Sequence, residues 1–247
     1  MAVKGGGKII TDGLILALDV SSDRCYSSGS MLDLSGNGTN YEMMGWTLTE
    51  ASGAISLIHS ESVSVDSAYI RSTNISDGTI TGSVAYLNIH GDFTLEFWAM
   101  GTATPTDGAQ QCGSTFSEND NATGNGAQMQ INLGYGSSPP SNAIRFYGSQ
   151  ASAVGTFLLG GWRHYAMTCE ANGVASGSYY EDGVLTSSPF AVGSWATNTG
   201  NTYHYLMRDL DDINNFAGHF GSVKMYNRQL TASEILENYT NTKGKYF

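Results

Sequence analysis

Phe93, Leu95, Phe97 and Ala99 alternate with Thr94, Glu96, Trp98 and Met100. Successive strand residues point to opposite faces, so this run lays an apolar row on one side and a row containing Trp98 and Met100 on the other. A strand with large apolar residues on both sides fits the middle of a sheet that is covered on both faces. The run therefore demands two layers above and below it, which a single exposed sheet cannot supply.

The remaining signals agree. Tyr179-Tyr180-Glu181-Asp182-Gly183-Val184-Leu185 places Asp-Gly between two strand-forming runs, and that pair supplies the positive φ angles of a type I′ hairpin turn. Further strands are expected at Leu14–Leu18, Ile55–Ile58, Val63–Ile70, Val84–Ile89, Met129–Leu133, Ile144–Tyr147, His164–Cys169, Ser178–Glu181, Tyr203–Arg208 and Gly218–Tyr226. Between them lie Gly, Asn and Ser clusters, the residues that satisfy turn dihedrals. Charged residues are only 13% of the chain and 31 of its 247 residues are Gly, against about 25% charged in an ordinary domain. The polar surface must come from Ser, Thr, Asn and Gly, which suits many strands joined by turns.

Near the end, Thr231-Ala232-Ser233-Glu234 reads as a capping box. It predicts a helix over 231–240 with Ile235, Leu236 and Tyr239 on its packed face. Gly5, Gly6 and Gly7 mark residues 1–12 as a flexible arm, and 243–247 form a tail that frays or docks. The four prolines are read as loop residues, no internal repeat is visible, and residues 13–242 are expected to form one all-β domain, a two-sheet antiparallel sandwich.

The order of these pieces resembles the concanavalin A-like lectin/glucanase domains of the laminin G-like type. The resemblance rests on Asp12-Gly13-Leu14-Ile15-Leu16-Ala17-Leu18-Asp19 with Leu32-Asp33-Leu34-Ser35-Gly36-Asn37-Gly38, on Phe93 to Trp98, and on Gly161-Trp162-Arg163-His164-Tyr165-Ala166-Met167-Thr168. It continues through the Tyr180 to Leu185 hairpin and the closing Gly221 to Ile235 run. The opening segment and the late Asn-Tyr-x-x-x-Lys-Gly run resemble versions of this domain in structural proteins of tailed phages, including cyanobacterial ones. The resemblance implies a jelly roll that binds glycans or proteins on its concave face or rim loops, sometimes with calcium.

Catalytic members of the wider superfamily carry paired carboxylates on one strand in a Glu-x-Asp-x-Glu arrangement. Here Thr94 and Trp98 flank Glu96 on its own face, so the dyad is missing. A glycoside hydrolase would need an atypical pair, Glu96 with Glu170 or Glu181. No nucleophile elbow, zinc-protease helix or phosphate loop occurs, the five histidines lack metal-ligand spacing, and Cys25, Cys112 and Cys169 read as idle thiols. His164 and His219 fall on family strand positions, where a packed or hydrogen-bonded ring is expected.

The expectation is a non-catalytic protein that requires no cofactor. Calcium, which takes six to eight oxygens from irregular loops, is the one metal with candidate ligands, in the Glu118-Asn119-Asp120-Asn121 run or, favoured of the two, at Asp209, Asp211 and Asp212. Ligand-binding candidates are Trp46, Tyr135, Trp195 and Tyr203, aromatics beside Gly/Ser/Asn-rich segments that would stack on a sugar face. The net charge of −11 argues against nucleic acid. No lysine lies between positions 8 and 224; because lysine guards exposed sheet edges, this hints at edges covered by other subunits. No secretory leader or membrane-spanning run is predicted.

Together these point to a virion structural protein made in the host cytoplasm and released by lysis. It would serve as a decoration, fibre or tail-associated subunit that contacts other virion proteins or copies of itself, and host-surface glycans. A soluble carbohydrate-binding lectin is the other reading that this fold allows.

Overall fold

The computed structural model describes residues 8–59 except 28 and 39, together with 69–73, 92–102, 110–116, 127–133, 142–147, 151–156, 159–170, 175–193, 205–206 and 218–247. Two antiparallel sheets face each other. The first contains β1 (Leu14–Asp19), β5 (Thr47–Ala51), β6 (Ala54–His59), β8 (Phe93–Gly101), β13 (Arg163–Glu170), β14 (Ala175–Glu181), β15 (Val184–Gly193) and β17 (Gly218–Tyr226). Its order is β15-β14-β13-β8-β17-β6-β5, with β1 on the remaining half of β17. The second comprises β2 (Tyr26–Ser27), β3 (Ser30–Met31), β4 (Asn40–Met44), β7 (Tyr69–Thr73), β9 (Gln110–Phe116), β10 (Ala127–Leu133), β11 (Asn142–Tyr147), β12 (Ala151–Thr156) and β16 (Tyr205–Leu206). Its order is β12-β11-β10-β9-β16-β7-β4-β3-β2. This is the expected sandwich. The segment expected at Val84–Ile89 lies outside the described residues.

The central position of β8 is as expected: β13 and β17 flank it, pairing Glu96 with Ala166 on one side and with Lys224 on the other. Its inner row, Phe93, Leu95, Phe97 and Ala99, meets Tyr165, Met167, Val223 and Met225 within the sheet. Met31, Tyr41, Ile70 and Leu206, all fully buried, come across from the second sheet. Side chains of this size contribute roughly 1.5–3 kcal/mol each on burial, so this interlayer is the main source of stability.

The outer face of the first sheet is covered by helix α1 (Ala232–Thr242). Thr231 caps it, accepting from the Glu234 N–H while Glu234 reaches back to the Thr231 N–H, the full capping box. The packed face differs from the one expected. Ile235, Asn238 and Thr242 are buried, Tyr239 is half-buried and Leu236 is exposed. The reason is that a polar side chain is needed under the helix, as the site geometry shows below. After α1 a short 3-10 turn (Lys243–Lys245) carries Tyr246 into a slot between Trp98 and Trp162, with ring centroids 4.3 and 4.8 Å away. The tail therefore docks. A Cβ on Gly221 would stand 2.4 Å from the Tyr246 ring, so the irregularity in β17 between Phe220 and Ser222 needs glycine there.

Residues 8–12 do not behave as a free arm. The Ile10 N–H donates to Asn238 Oδ1 at 2.9 Å, its carbonyl accepts from the Tyr226 hydroxyl at 3.1 Å, and Asn241 Nδ2 donates to the Lys8 carbonyl. Bonds from a helix and a strand offset the ordering entropy that the glycines imply for 5–7.

Edges are managed without lysine. On the side of β1 away from β17, Ala17 N–H donates to Asp33 Oδ1, Leu34 N–H to the Ala17 carbonyl and Asn37 Nδ2 to the Ile15 carbonyl. The Leu32–Gly38 loop thus closes that edge. β15 ends the sheet order; it contains Pro189, and its pairing with β14 shifts register in three places. The prolines were all expected in loops; Pro189 is instead a strand residue. Proline is tolerated on edge strands and at bulges, where its missing N–H interrupts no ladder, and in such a place it blunts pairing with another chain.

Candidate functional site

Glu96 was the only acid on the strand where a hydrolase of this fold would display a pair. The alternation of β8 points it outward, under α1, where it is fully buried. Lys224 Nζ donates to its Oε2 at 3.4 Å from the neighbouring strand, and Asn238 Nδ2 donates to the same oxygen at 2.9 Å from the helix. Burial pushes the carboxyl upward, opposed by the Lys224 charge and these two hydrogen bonds.

His164, paired with Trp98 in the β8–β13 register, lies beside this group, its Nε2 4.0 Å from Glu96 Oε2. It is fully buried, and neither ring nitrogen makes a hydrogen bond. The ring is held by packing instead: Trp98 and Tyr239 lie at centroid distances of 5.3 and 5.9 Å. Burial, and then the Lys224 charge, hold its pKa well below the ordinary value, so the imidazole is neutral at pH 7.

Asn238 joins these groups. Its second amide hydrogen goes to the Tyr226 hydroxyl at 3.0 Å and its Oδ1 accepts from Ile10. Both amide hydrogens and the carbonyl oxygen of the Asn238 side chain are therefore engaged, as a buried amide requires. Trp98 Nε1 donates to Thr242 Oγ1 at 3.0 Å, which in turn donates to the Asn238 carbonyl at 2.7 Å. Sequence reasoning found Glu96 and its isolation but missed Asn238 as its partner. The signal was present: Asn238 stands three residues after Ile235, on one helical face.

The geometry does not assemble a hydrolase dyad from the acids named above. Glu181 pairs with Tyr165, whose ring is in the interlayer core, so it belongs to the opposite face from Glu96. There it accepts from the Tyr179 hydroxyl at 2.9 Å and pairs with Arg163 at 3.2 Å. Glu170 shares the Glu96 face but stands four residues beyond Ala166, the register partner of Glu96, about 13 Å along the strand. Glycosidase carboxylates stand roughly 5–9.5 Å apart.

Of the ligand-binding candidates, Trp46 is half-buried and packs against the interlayer core; Tyr135, Trp195 and Tyr203 lie outside the described residues, as do Asp209, Asp211 and Asp212. Among the described residues no group of three His, Cys, Asp or Glu is placed to hold a metal ion, and no helix is long and apolar enough to cross a membrane. Cys25 and Cys169 are buried free thiols, pushed up to about 11 and about 12 mainly by burial, which keeps them protonated and unreactive. His219 Nδ1 and Ser56 Oγ are joined by a hydrogen bond of 3.1 Å.

The model of the concanavalin A-like lectin/glucanases superfamily matches residues 72–236, well over half of the chain. No curated protein matches the sequence. Among solved structures, a Trypanosoma rangeli sialidase in complex with the inhibitor DANA superposes with a TM-score of 0.61 at 17% identity, over 95% of this chain and 34% of the sialidase. The binding domain of botulinum neurotoxin DC, in complex with rat synaptotagmin II, gives 0.62 at 16% identity, over 94% of this chain and 52% of that one. Domain 4 of an extracellular GH43 arabinanase from Geobacillus stearothermophilus, in complex with arabinotriose, gives 0.59 at 13%, over 92% of this chain and 98% of the domain. The chain spans about a third of the first and half of the second. At these identities the likeness is one of fold.

Proposed function

The chain belongs to the concanavalin A-like lectin/glucanase superfamily, and from that premise we propose that it is a non-catalytic structural protein of a bacteriophage virion. It is exposed there as a decoration, fibre or tail-associated subunit. The observation that carries the non-catalytic reading is the sealing of Glu96: the acid on the expected strand is tied to Lys224 and Asn238 beneath α1, where no polysaccharide reaches it. A carboxylate so used holds a helix in place rather than protonating a leaving group.

The partners are other virion proteins or further copies of the chain, with host-surface glycans as the second class. Solved proteins of this fold bound to synaptotagmin and to arabinotriose support a scaffold that serves either contact. Trp46, Tyr135, Trp195 and Tyr203 remain the proposed stacking residues. No cofactor is required, and any calcium would be held by Asp209, Asp211 and Asp212.

A mass-spectrometric inventory of purified particles, paired with light scattering of the isolated protein, tests this. The expected result is a chain present on particles and oligomeric in solution. A monomer absent from particles would overturn the virion reading, and glycan-array binding by such a monomer would make the protein a soluble lectin.

A further inference from the structure

The outer face of the first sheet holds three ionisable groups in a closed space: Glu96 from β8, His164 from β13 and Lys224 from β17. Helix α1 covers them, and Asn238 ties that helix both to Glu96 and to the backbone of Ile10. We propose that α1 and residues 8–12 form an acid-sensitive clasp, with His164 as the group whose protonation opens it.

Lys224 and Glu96 stand 3.4 Å apart as a pair that carries no net charge on whichever partner their shared proton rests, and His164 is neutral, so the enclosed group sums to zero. A proton added to His164 makes it positive, beside Lys224 and away from water, and a net charge in such a place is costly. With α1 lifted, the same imidazolium meets solvent.

The other charged or titratable groups facing this space are Tyr226 on β17, Tyr180 on β14, Asp182 in the hairpin turn, whose Oδ1 accepts from the His164 backbone N–H, and Glu234 and Tyr239 on α1. Asp182 is engaged with the backbone and Arg163, and Glu234 with Arg228, so neither is free to neutralise the added proton. Opening also loosens residues 8–12, because Asn238 and Asn241 of α1 hold the Ile10 N–H and the Lys8 carbonyl.

The closed form holds His164 well below its ordinary pKa, so acidification from pH 7.5 through about 6.5 favours the open form, in which the ring protonates near its usual value. Glu96 works the other way: its carboxyl is raised in the closed form, so proton uptake there favours closure.

Hydrogen exchange separates the two. After correction for intrinsic rates, amides of Ile235–Thr242 and of 8–12 should exchange about tenfold faster at pH 5.5 than at 7.5, one pH unit below an ordinary histidine pKa giving a factor of about ten. The amides of β8 should not change, which separates opening from global unfolding. His164→Phe keeps the ring contacts and removes no hydrogen bond, and should abolish the increase. Glu96→Gln should steepen it. No increase in the unaltered protein, or an increase that persists in His164→Phe, overturns the proposal; should His164→Phe fold poorly, the unaltered protein and Glu96→Gln decide it, a flatter response in the latter counting against.

Discussion

On the inner side of β8, Phe93, Leu95, Phe97 and Ala99 pack into the interlayer core. On the outer side, Thr94 accepts from the Leu230 N–H and donates to the Arg228 carbonyl, Glu96 takes two donors from two elements, and Trp98 stacks on Tyr246 while donating to Thr242. The inner face is defined by apolar volume, which many side chains can supply. The outer face is defined by partners, each of which must be one residue type at one place. The same strand thus carries a tolerant surface and an exacting one, and α1 exists to complete the second.

Substitutions distinguish the two faces by their pH dependence as well as their size. Phe97→Ala should cost about 3–5 kcal/mol by cavity formation, equally at pH 5 and 7 in chemical denaturation. Lys224→Met should cost a similar 3–5 kcal/mol or so at pH 7, because it leaves Glu96 buried and unpaired. That loss should shrink on acidification. A carboxyl raised by burial binds its proton more tightly folded than unfolded, so its contribution is present below the ordinary carboxylate range and lost as pH rises through the raised value. Equal pH profiles for both variants would erase the distinction.

Gly221→Ala should come next, at about 1–3 kcal/mol, because the new methyl meets the Tyr246 ring. In a Tyr246→Ala background the added cost should largely vanish, and a double-mutant cycle measures that coupling. The smallest effect belongs to the helix start: Thr231→Ala should lose about 1 kcal/mol, read by thermal denaturation. The Arg228 guanidinium beside Glu234 holds its carboxyl down to about 2. That contribution is present above pH 4.5 and fades as pH falls toward 2, and it stays small because the pair is partly exposed.

The inner face was legible in the sequence because period-two alternation of large apolar residues has one structural meaning, and the Asp182-Gly183 turn is as explicit: both residues have positive φ. β9, β12, β2, β3 and β5 gave little signal. Their residues are largely Gln, Ser, Thr, Ala and Gly, or their strands are only two residues long, and neither carries an apolar period. For the outer face, Glu96 was visible as an isolated acid, yet its partners Lys224 and Asn238 lie 128 and 142 residues away. Only the pairing of β8 with β17 and the docking of α1 bring them together. Leu236 was expected to be buried on hydrophobicity; Asn238 takes the inward position because a buried carboxylate needs a donor more than a leucine needs cover. The lysine-free middle of the chain suggested edges covered by partners. The Leu32–Gly38 loop and Pro189 guard two of those edges within the chain itself, so any assembly draws its support from other observations.

The central claim is that Glu96, on the strand where this fold would carry catalytic acids, serves as a structural anchor. Incubation with a broad glycan panel, comparing the unaltered protein with Glu96→Gln, tests it most directly. The account predicts no hydrolysis by either protein. Hydrolysis that disappears in Glu96→Gln, with the fold intact, would contradict it.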